Sequence, residues 1–142
     1  DTGKLVIERY AAADDLGRII NPLICEGQII GALAQGLGQA LMEQVVYDGA
    51  SGQLVTGSFM DYGMPRADDM PEVNSEFFEV PATTNPLGIK GIGESGAIGA
   101  PPAIIGALLD ALKPLGVTHI DMPATPARIW EAIKQAKAVK AA

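Results

Sequence analysis

Residues 90–96 have the sequence Lys90-Gly91-Ile92-Gly93-Glu94-Ser95-Gly96, in which one acidic side chain lies among three glycines. Glycine lets the backbone approach a ligand closely and adopt conformations that other residues avoid. A single carboxylate held in such a loop is a candidate base rather than a solubilising charge. Glu94 is therefore the first candidate catalytic residue of this sequence.

The same glycines match the Gly-x-Gly-x-x-Gly pattern of dinucleotide-binding folds. That pattern needs a buried strand directly before the first glycine and a helix that opens at the second. The residues before Gly91 are mostly turn-formers. A nucleotide-binding βαβ module that uses Gly91, Gly93 and Gly96, with Asp121 holding a ribose after a strand, stays a second hypothesis.

Two adjacent prolines, Pro101 and Pro102, follow the glycine segment. In a helix interior proline costs about 3 kcal/mol or more, whereas it is tolerated in the first turn. The sequence therefore predicts a helix from about Ala100 to about Lys113, with residues 90–96 as an irregular loop. About six residues would then separate Glu94 from the helix, beyond the first-turn range of the helix dipole.

The rest of the chain alternates short strand patterns with helix patterns, which predicts an α+β fold with mixed short strands and three main helices. With 142 residues and 48% hydrophobic side chains, residues 1–142 are expected to form a single domain or a fragment of one. The predicted strands are 5–10, 75–80 and 117–121, a hairpin lies around 47–52, and the other helices are 22–42 and 125–137.

The first predicted helix has two different faces. At 3.6 residues per turn, Gln35 and Gln39 lie about 20° to either side of Gln28. Glycines 27, 31 and 38 form a neighbouring stripe. The opposite face is predicted to be buried, and it carries Ile29, Ile30, Leu33, Leu37 and Leu41. The glutamine face suits either a ligand with mixed donors and acceptors or helix packing through a small-residue groove.

Residues 90–102, with Lys90-Gly91-Ile92-Gly93-Glu94-Ser95-Gly96 followed by Ala97-Ile98-Gly99-Ala100-Pro101-Pro102, closely resemble the molybdopterin-binding subunit of the xanthine dehydrogenase/aldehyde oxidase family. Bacterial members, including the large subunits of carbon monoxide dehydrogenases, look most similar. Two further segments agree: Asn21-Pro22 leading into Gly27-Gln28 and Gln35-Gly36-Leu37-Gly38-Gln39-Ala40, and Asp61-Tyr62-Gly63-Met64-Pro65-Arg66. The resemblance corresponds to the C-terminal part of such a subunit.

The resemblance implies a molybdenum hydroxylase that oxidises a C–H bond of an aldehyde or N-heterocycle with oxygen derived from water. Glu94 matches the family's catalytic glutamate and Gln28 its pterin-contacting glutamine. Lys90, Gly91, Ile92 and Gly93 are expected to lie beside the cofactor, a molybdopterin with molybdenum, commonly as the cytosine dinucleotide. Iron–sulfur clusters and FAD are expected on other domains or subunits, so the implied partners are the rest of the subunit and those redox subunits.

Composition limits the other function classes. The net charge is −7, with ten basic and seventeen acidic residues, and the basic residues form no continuous run along the sequence. The sequence therefore disfavours nucleic acid as a partner. Cys25 is the only cysteine and His119 the only histidine, so no residue is predicted as a direct metal ligand. No stretch approaches the ~18 uninterrupted apolar residues of a membrane span. We expect no membrane span and a cytoplasmic location.

Each site prediction has a purely structural alternative. Glu94 would then be a carboxylate placed near a helix N-terminus for roughly 0.3–1 kcal/mol of dipole stabilisation. The glutamines would be solvated beside a glycine packing groove. At the level of the whole chain, the alternative is a non-catalytic assembly domain whose apolar helices dock on a larger protein.

Overall fold

A two-stranded sheet and three long helices make up the regular secondary structure of the computed structural model, which describes residues 2–141. The strands are β1 (Arg9–Asp15) and β2 (Glu72–Phe78), and the helices are α1 (Pro22–Leu41), α2 (Ser95–Leu112) and α3 (Pro126–Ala141). Short 3-10 turns occupy Ala67–Asp69 and Lys113–Leu115. The predicted α+β class with three main helices is confirmed.

The two strands are parallel neighbours, paired from Arg9 with Glu72 to Asp15 with Phe78. Helix α1 lies between them in sequence, so β1, α1 and β2 form a parallel crossover. Exposed and half-buried residues alternate along both strands, as expected when one face of a sheet is covered. Tyr10 and Val73 lie on the covered face and pack against the core of α1 and α2.

Helix α1 begins where the sequence predicts. Asn21 is the N-cap, and its side-chain oxygen accepts a hydrogen bond from the Ile24 N–H at 3.3 Å. Pro22 occupies the first turn, where its missing N–H has no cost. The predicted apolar face is buried at Ile29, Leu33 and Leu37, whereas Ile30 is exposed and Leu41 is only partly buried.

Helices α1 and α2 pack closely through residues without large side chains. A Cβ atom on Gly96 would lie 2.9 Å from the Cβ of Ala32, and one on Gly36 would lie 2.7 Å from the Cβ of Ala100. The residue numbers of the contacting pairs increase together along both helices, from Ala32 with Gly96 to Gly36 with Ala100, so α1 and α2 run in the same direction. Their N-termini therefore lie at the same end of the domain.

The predicted start of α2 near Ala100 is wrong, because the helix begins at Ser95 and contains Pro101 and Pro102 in its interior. Pro101 is buried, and its ring lies 3.1 Å from where a Gly36 side chain would begin. The contact with α1 therefore provides packing that offsets the missing backbone hydrogen bonds of the prolines. Local propensity alone placed the helix start too late.

A second cluster joins the end of α2 to α3 through Leu108, Val117, Ile120, Ala124 and Ile129. Residues 117–121, predicted as a strand, form no regular secondary structure and pair with no strand in residues 2–141. The other two strands are shifted: residues 5–8 precede β1, and β2 starts and ends earlier than 75–80. An antiparallel bridge between Tyr47 and Leu54 closes the predicted hairpin.

One segment of the described chain, Ser95–Leu115, is long and apolar enough to cross a membrane, with a mean hydropathy of 1.4. Core helices of soluble proteins pass the same test, and α2 contacts α1 along its Ala100 and Ile104 side. Length and composition therefore give only weak evidence for a membrane span here.

The packing of α1 on α2 predicts opposite effects for two glycines of the same helix. Gly36→Ala would place a methyl group against Ala100, and overpacking of this kind destabilises by about 1–3 kcal/mol. Gly31→Ala meets no atom within 4 Å and should stabilise α1 by roughly 0.5–1 kcal/mol, because alanine restricts the unfolded chain more than glycine. Urea unfolding of the two variants tests this, and equal effects would contradict the packing described here.

Candidate functional site

The C-terminal ends of β1 and β2 meet the N-termini of α1 and α2 at one edge of the domain. We call residues 16–21 and 79–94, which connect these ends, the strand-end edge. Backbone hydrogen bonds join its segments: Leu16 N–H donates to Phe78 O at 3.1 Å, Arg18 N–H to Gly88 O at 2.9 Å, and Lys90 N–H to Leu16 O at 3.2 Å. The loop that leads to Glu94 is thus fixed to the segment that leads to Gln28.

The carboxylate of Asp15, the last residue of β1, binds three separate segments. One oxygen accepts hydrogen bonds from the N–H groups of Gly17 at 3.0 Å and Val80 at 3.1 Å, and the other pairs with the Lys90 ammonium. We call these four residues the Asp15 junction. The hydrogen bond from Lys90, followed by that from Gly17, lowers the pKa of the Asp15 carboxyl to about 2.

Glycine is required beside this junction. Gly17 has φ of +61°, and a Cβ there would lie 2.4 Å from the carbonyl oxygen of Gly88. Only glycine accepts this conformation together with so close a backbone approach. The side chain of Glu79 also connects the two segments of the strand-end edge, because it accepts a hydrogen bond from the Ile19 N–H at 2.8 Å.

Glu94 is the N-cap residue of α2 and is exposed, with no side-chain cap hydrogen bond. Its carboxylate forms no hydrogen bond or ion pair with residues 2–141. The prediction of a long loop between Glu94 and its helix is wrong, since α2 begins at the next residue. Glu94 therefore lies within the range of the α2 dipole, so the alternative in which its carboxylate only stabilises the N-terminus of the helix agrees with this geometry.

The loop before Glu94 offers its backbone to solvent. Gly91 and Gly93 are exposed, and a Cβ on either would meet no atom within 4 Å. The described chain accepts no hydrogen bond from the N–H groups of Gly91, Ile92 or Gly93. Ser95 closes the loop locally, because its hydroxyl donates to Ile92 O at 3.2 Å.

Gln28 lies in the same region as Glu94. A Cβ on Gly96 would lie 2.9 Å from the carbonyl oxygen of Ile29, so the first turn of α2 rests against Ile29, the residue that follows Gln28 on α1. Gln28, Gln35 and Gln39 are all exposed, as the helical periodicity predicts. Gln35 and Gln39 lie farther along α1, away from the strand-end edge.

The glycine stripe of α1 has two different environments. A Cβ on Gly38 would clash with Glu43 and Pro65, so the packing explanation holds there. Gly27 and Gly31 are exposed, with no described atom within 4 Å of a Cβ. Helix packing within residues 2–141 does not explain these two glycines.

These groups fit a polar, anionic cofactor. Free backbone N–H groups and two adjacent helix N-termini favour phosphate, and an exposed amide suits the mixed edge of a pterin. In residues 2–141 no three His, Cys, Asp or Glu side chains come together as a metal site. The arrangement can therefore hold a cofactor through hydrogen bonds and helix dipoles.

Sequence reasoning missed several contacts of this region and its surroundings. No local pattern indicates that Asp15, the last residue of β1, binds Lys90, which lies 75 residues away in the sequence. Sequence reasoning placed Asp121 after a strand, whereas Asp121 is exposed in an unpaired segment beside His119. In the Asp61-Tyr62 motif the Tyr62 hydroxyl donates a hydrogen bond to Glu43 at 2.7 Å, and this bond raises the pKa of Tyr62.

Comparison with known proteins gives one family. The family model described as the molybdopterin cofactor-binding domain matches residues 1–71, which include all of α1 but not Glu94. The nicotine 6-hydroxylase large subunit of Paenarthrobacter nicotinovorans is 44% identical over 133 residues, which is 94% of this chain and 16% of that protein.

Two further relatives agree. The carbon monoxide dehydrogenase large chain of Hydrogenophaga pseudoflava is 40% identical over 94% of this chain and 17% of its own length. The crystal structure of quinoline 2-oxidoreductase from Pseudomonas putida 86 superposes with a TM-score of 0.87 and 45% identity, over 92% of this chain and 16% of that one. The chain thus spans about a sixth of the relatives that it matches.

The Asp15 junction predicts a specific acid dependence of stability. Asp15 has a pKa of about 2 in the folded chain, against about 3.9 when unfolded. Between these values the unfolded state binds more protons, so stability rises with pH. The contribution of Asp15 is complete above the unfolded pKa and is lost as the pH falls through the folded pKa.

Asp15→Asn should therefore flatten the decline of stability between about pH 4 and pH 2 and lower stability only slightly at neutral pH, because the ion pair with Lys90 is partly exposed and screened by solvent. Urea unfolding over this pH range measures the effect. In a Lys90→Met background the same change should have a smaller effect, because the main cause of the lowered pKa is already removed. An unchanged acid limb in Asp15→Asn would contradict this assignment.

Proposed function

The chain belongs to the family of molybdopterin cofactor-binding domains, and we propose that it contributes a catalytic glutamate, Glu94, and a pterin-contacting helix residue, Gln28, to a molybdenum-dependent hydroxylase. The observation that supports the proposal is that the first turn of α2 packs on α1 close to both residues: Gly96, two residues after Glu94, lies against Ile29, the residue after Gln28. These residues come from opposite halves of the chain, yet the parallel packing of α1 and α2 brings their helix N-termini together.

The proposed cofactor is molybdopterin with molybdenum, in its cytosine dinucleotide form. When bound, it would supply the centre at which oxygen from water is inserted and electrons are accepted. Gln28 would bind the pterin through its amide, and the N–H groups of Gly91, Ile92 and Gly93 would donate hydrogen bonds to it. Lys90 would border the cofactor with its backbone while its ammonium stays paired with Asp15.

Glu94 is proposed as the general base. A base must be ionised at the working pH, and it becomes more basic when it is partly desolvated. The exposed carboxylate of Glu94 is not committed to any group of residues 2–141, so it is available to accept a proton from a group placed over the loop. Closure by other parts of the assembly would exclude water around it.

The rest of the activity is proposed to lie outside this chain. The chain spans 16% of the nicotine 6-hydroxylase large subunit, so the substrate pocket and the remaining cofactor contacts would come from the rest of a large subunit. Iron–sulfur and flavin subunits or domains would carry the electrons away. The proposed substrates are small aldehydes or N-heterocycles, and a cytoplasmic location stays a prediction.

The two alternatives have less support. A dinucleotide fingerprint needs a strand directly before Gly91, but β2 ends at Phe78 and only the isolated Gly17–Ile89 bridge intervenes. A non-catalytic assembly domain would explain exposed apolar side chains such as Phe59 and Met60. It would not explain why the unbonded backbone N–H groups of residues 91–93 and the uncommitted carboxylate of Glu94 lie together at the strand-end edge.

Glu94→Gln tests the catalytic role in the assembled enzyme. We expect turnover to fall by about 10²–10⁴-fold, the usual contribution of a general base, with molybdenum and pterin content unchanged. Glu72→Gln is the matched control, because Glu72 is an exposed glutamate at the opposite end of β2. Turnover of Glu94→Gln within about threefold of the wild type would rule out a general-base role.

Gln28→Ala tests the cofactor contact. Loss of one or two hydrogen bonds, each about 0.5–1.5 kcal/mol net, should weaken retention of the pterin during dialysis. Gln39→Ala is the control on the same face, about 16 Å farther along α1 at 1.5 Å per residue. Equal pterin retention in both variants would favour the packing explanation of the glutamine face.

A further inference from the structure

The Asp15 junction lies on the path that leads to Glu94. From Lys90, which the junction holds by its side chain, only Gly91, Ile92 and Gly93 precede Glu94. After Glu94, α2 is fixed by the contact of Gly96 with Ala32 and Ile29. The loop is therefore anchored at both ends, and the Asp15 junction is the anchor on the side of the strands.

We infer that Asp15 is a positioning residue, which acts through Lys90 to hold the loop that carries Glu94 in its working geometry. This inference rests on the proposed function, because it assigns Asp15 a purpose in the reaction only if Glu94 is the base. Asp15 reaches the proposed cofactor contacts only through its ion pair with Lys90, and it forms no hydrogen bond or ion pair with another residue of the loop before Glu94 or with the Glu94 carboxylate.

The contacts favour this role because they bind different segments rather than one turn. Asp15 joins the end of β1 to Val80, which follows β2, and to Lys90, which precedes α2. The Lys90 N–H donates to Leu16 O as well, so backbone and side chain of Lys90 are both attached to the residues after β1. Gly91 and Gly93 then follow, and no described atom lies within 4 Å of where a Cβ of either would be, so without this anchor the backbone before Glu94 has few restraints.

The exposure of the pair points to a local rather than a global effect. The Lys90 and Asp15 side chains are 34% and 37% exposed. Ion pairs as exposed as this contribute little to global stability. Their loss should instead release the short segment that they hold, while the helix packing and the apolar clusters stay intact.

The first test measures loop opening by hydrogen exchange in the assembled enzyme. In Asp15→Asn, amides in a peptide that covers residues 88–94 should exchange roughly tenfold faster or more, because a charge-assisted contact is lost. Asp14→Asn is the matched control: the neighbouring carboxyl lies on the other face of β1 and should leave this exchange unchanged. Unchanged exchange of 88–94 in Asp15→Asn overturns the inference.

The second test asks whether Asp15 acts through Glu94. Turnover is measured with the aldehyde or N-heterocycle on which the wild-type assembly is most active. Asp15→Ala should lower kcat by about 10- to 100-fold, because small misplacements of a catalytic group have effects of this size. KM and the molybdenum content should stay close to the wild-type values. In a Glu94→Gln background, Asp15→Ala should add less than about twofold, since the group that it positions is already absent.

The outcomes separate the inference from the proposed function. If Glu94→Gln leaves turnover intact, the proposed function fails, and with it the catalytic purpose of Asp15. If Glu94→Gln abolishes most turnover but Asp15→Ala has no effect, or has the same effect in both backgrounds, only the positioning role fails. If Asp15→Ala does not assemble, Asp15→Asn provides the same cycle, because its amide oxygen still accepts from Gly17 and Val80.

Discussion

The close parallel contact of α1 and α2 is the constraint on which the rest of the structure depends. Gly36 and Gly96 have no Cβ, and atoms of the opposite helix lie where those side chains would begin. Since the contacts stay in register from Ala32 and Gly96 to Gly36 and Ala100, the helices must run in the same direction. Leu33, Leu37, Ala40 and Ile104 are then buried together as one core. A side chain at either glycine would separate the helices and open that core.

Parallel strands and parallel helices together give the domain one edge with a distinct chemistry. Both strands end there with Asp15 and Phe78, and both helices begin there with Pro22 and Ser95. Helix N-termini favour negative charge, which supports the proposal that this edge binds an anionic cofactor although the chain carries a net charge of −7. Asp15 pairs with Lys90, the lysine at the start of the loop before Glu94, so the free donors of residues 91–93 are their backbone N–H groups.

The sequence predicts best what short-range chemistry controls. The start of α1 follows from Asn21 and Pro22, and its exposed glutamines follow from helical periodicity. The strands are less predictable, because β1 is an alanine-rich segment whose pairing depends on β2, far along the chain. The Asp15 junction could not be predicted for the same reason, because the partners of Asp15, Val80 and Lys90, lie 65 and 75 residues away in the sequence. The start of α2 was missed because the burial of Pro101 against Gly36 cannot be deduced from the residues around it.

The corrected start of α2 changes the argument for Glu94 without removing it. From the sequence, about six residues are expected between Glu94 and the start of α2, which would remove Glu94 from the helix dipole, but α2 begins at the next residue, Ser95. The structure provides a different reason, because Glu94 occupies the N-cap, where Ser, Thr, Asp and Asn are strongly preferred and the side chain normally accepts a backbone N–H. Glu94 makes no such hydrogen bond, so the helix start loses the stabilisation of a good cap. Glu94 thus gives α2 the dipole interaction of a carboxylate but not the hydrogen bond of a good cap, and its exposed, uncommitted side chain beside the free N–H groups of Gly91, Ile92 and Gly93 supports the proposed role as a base.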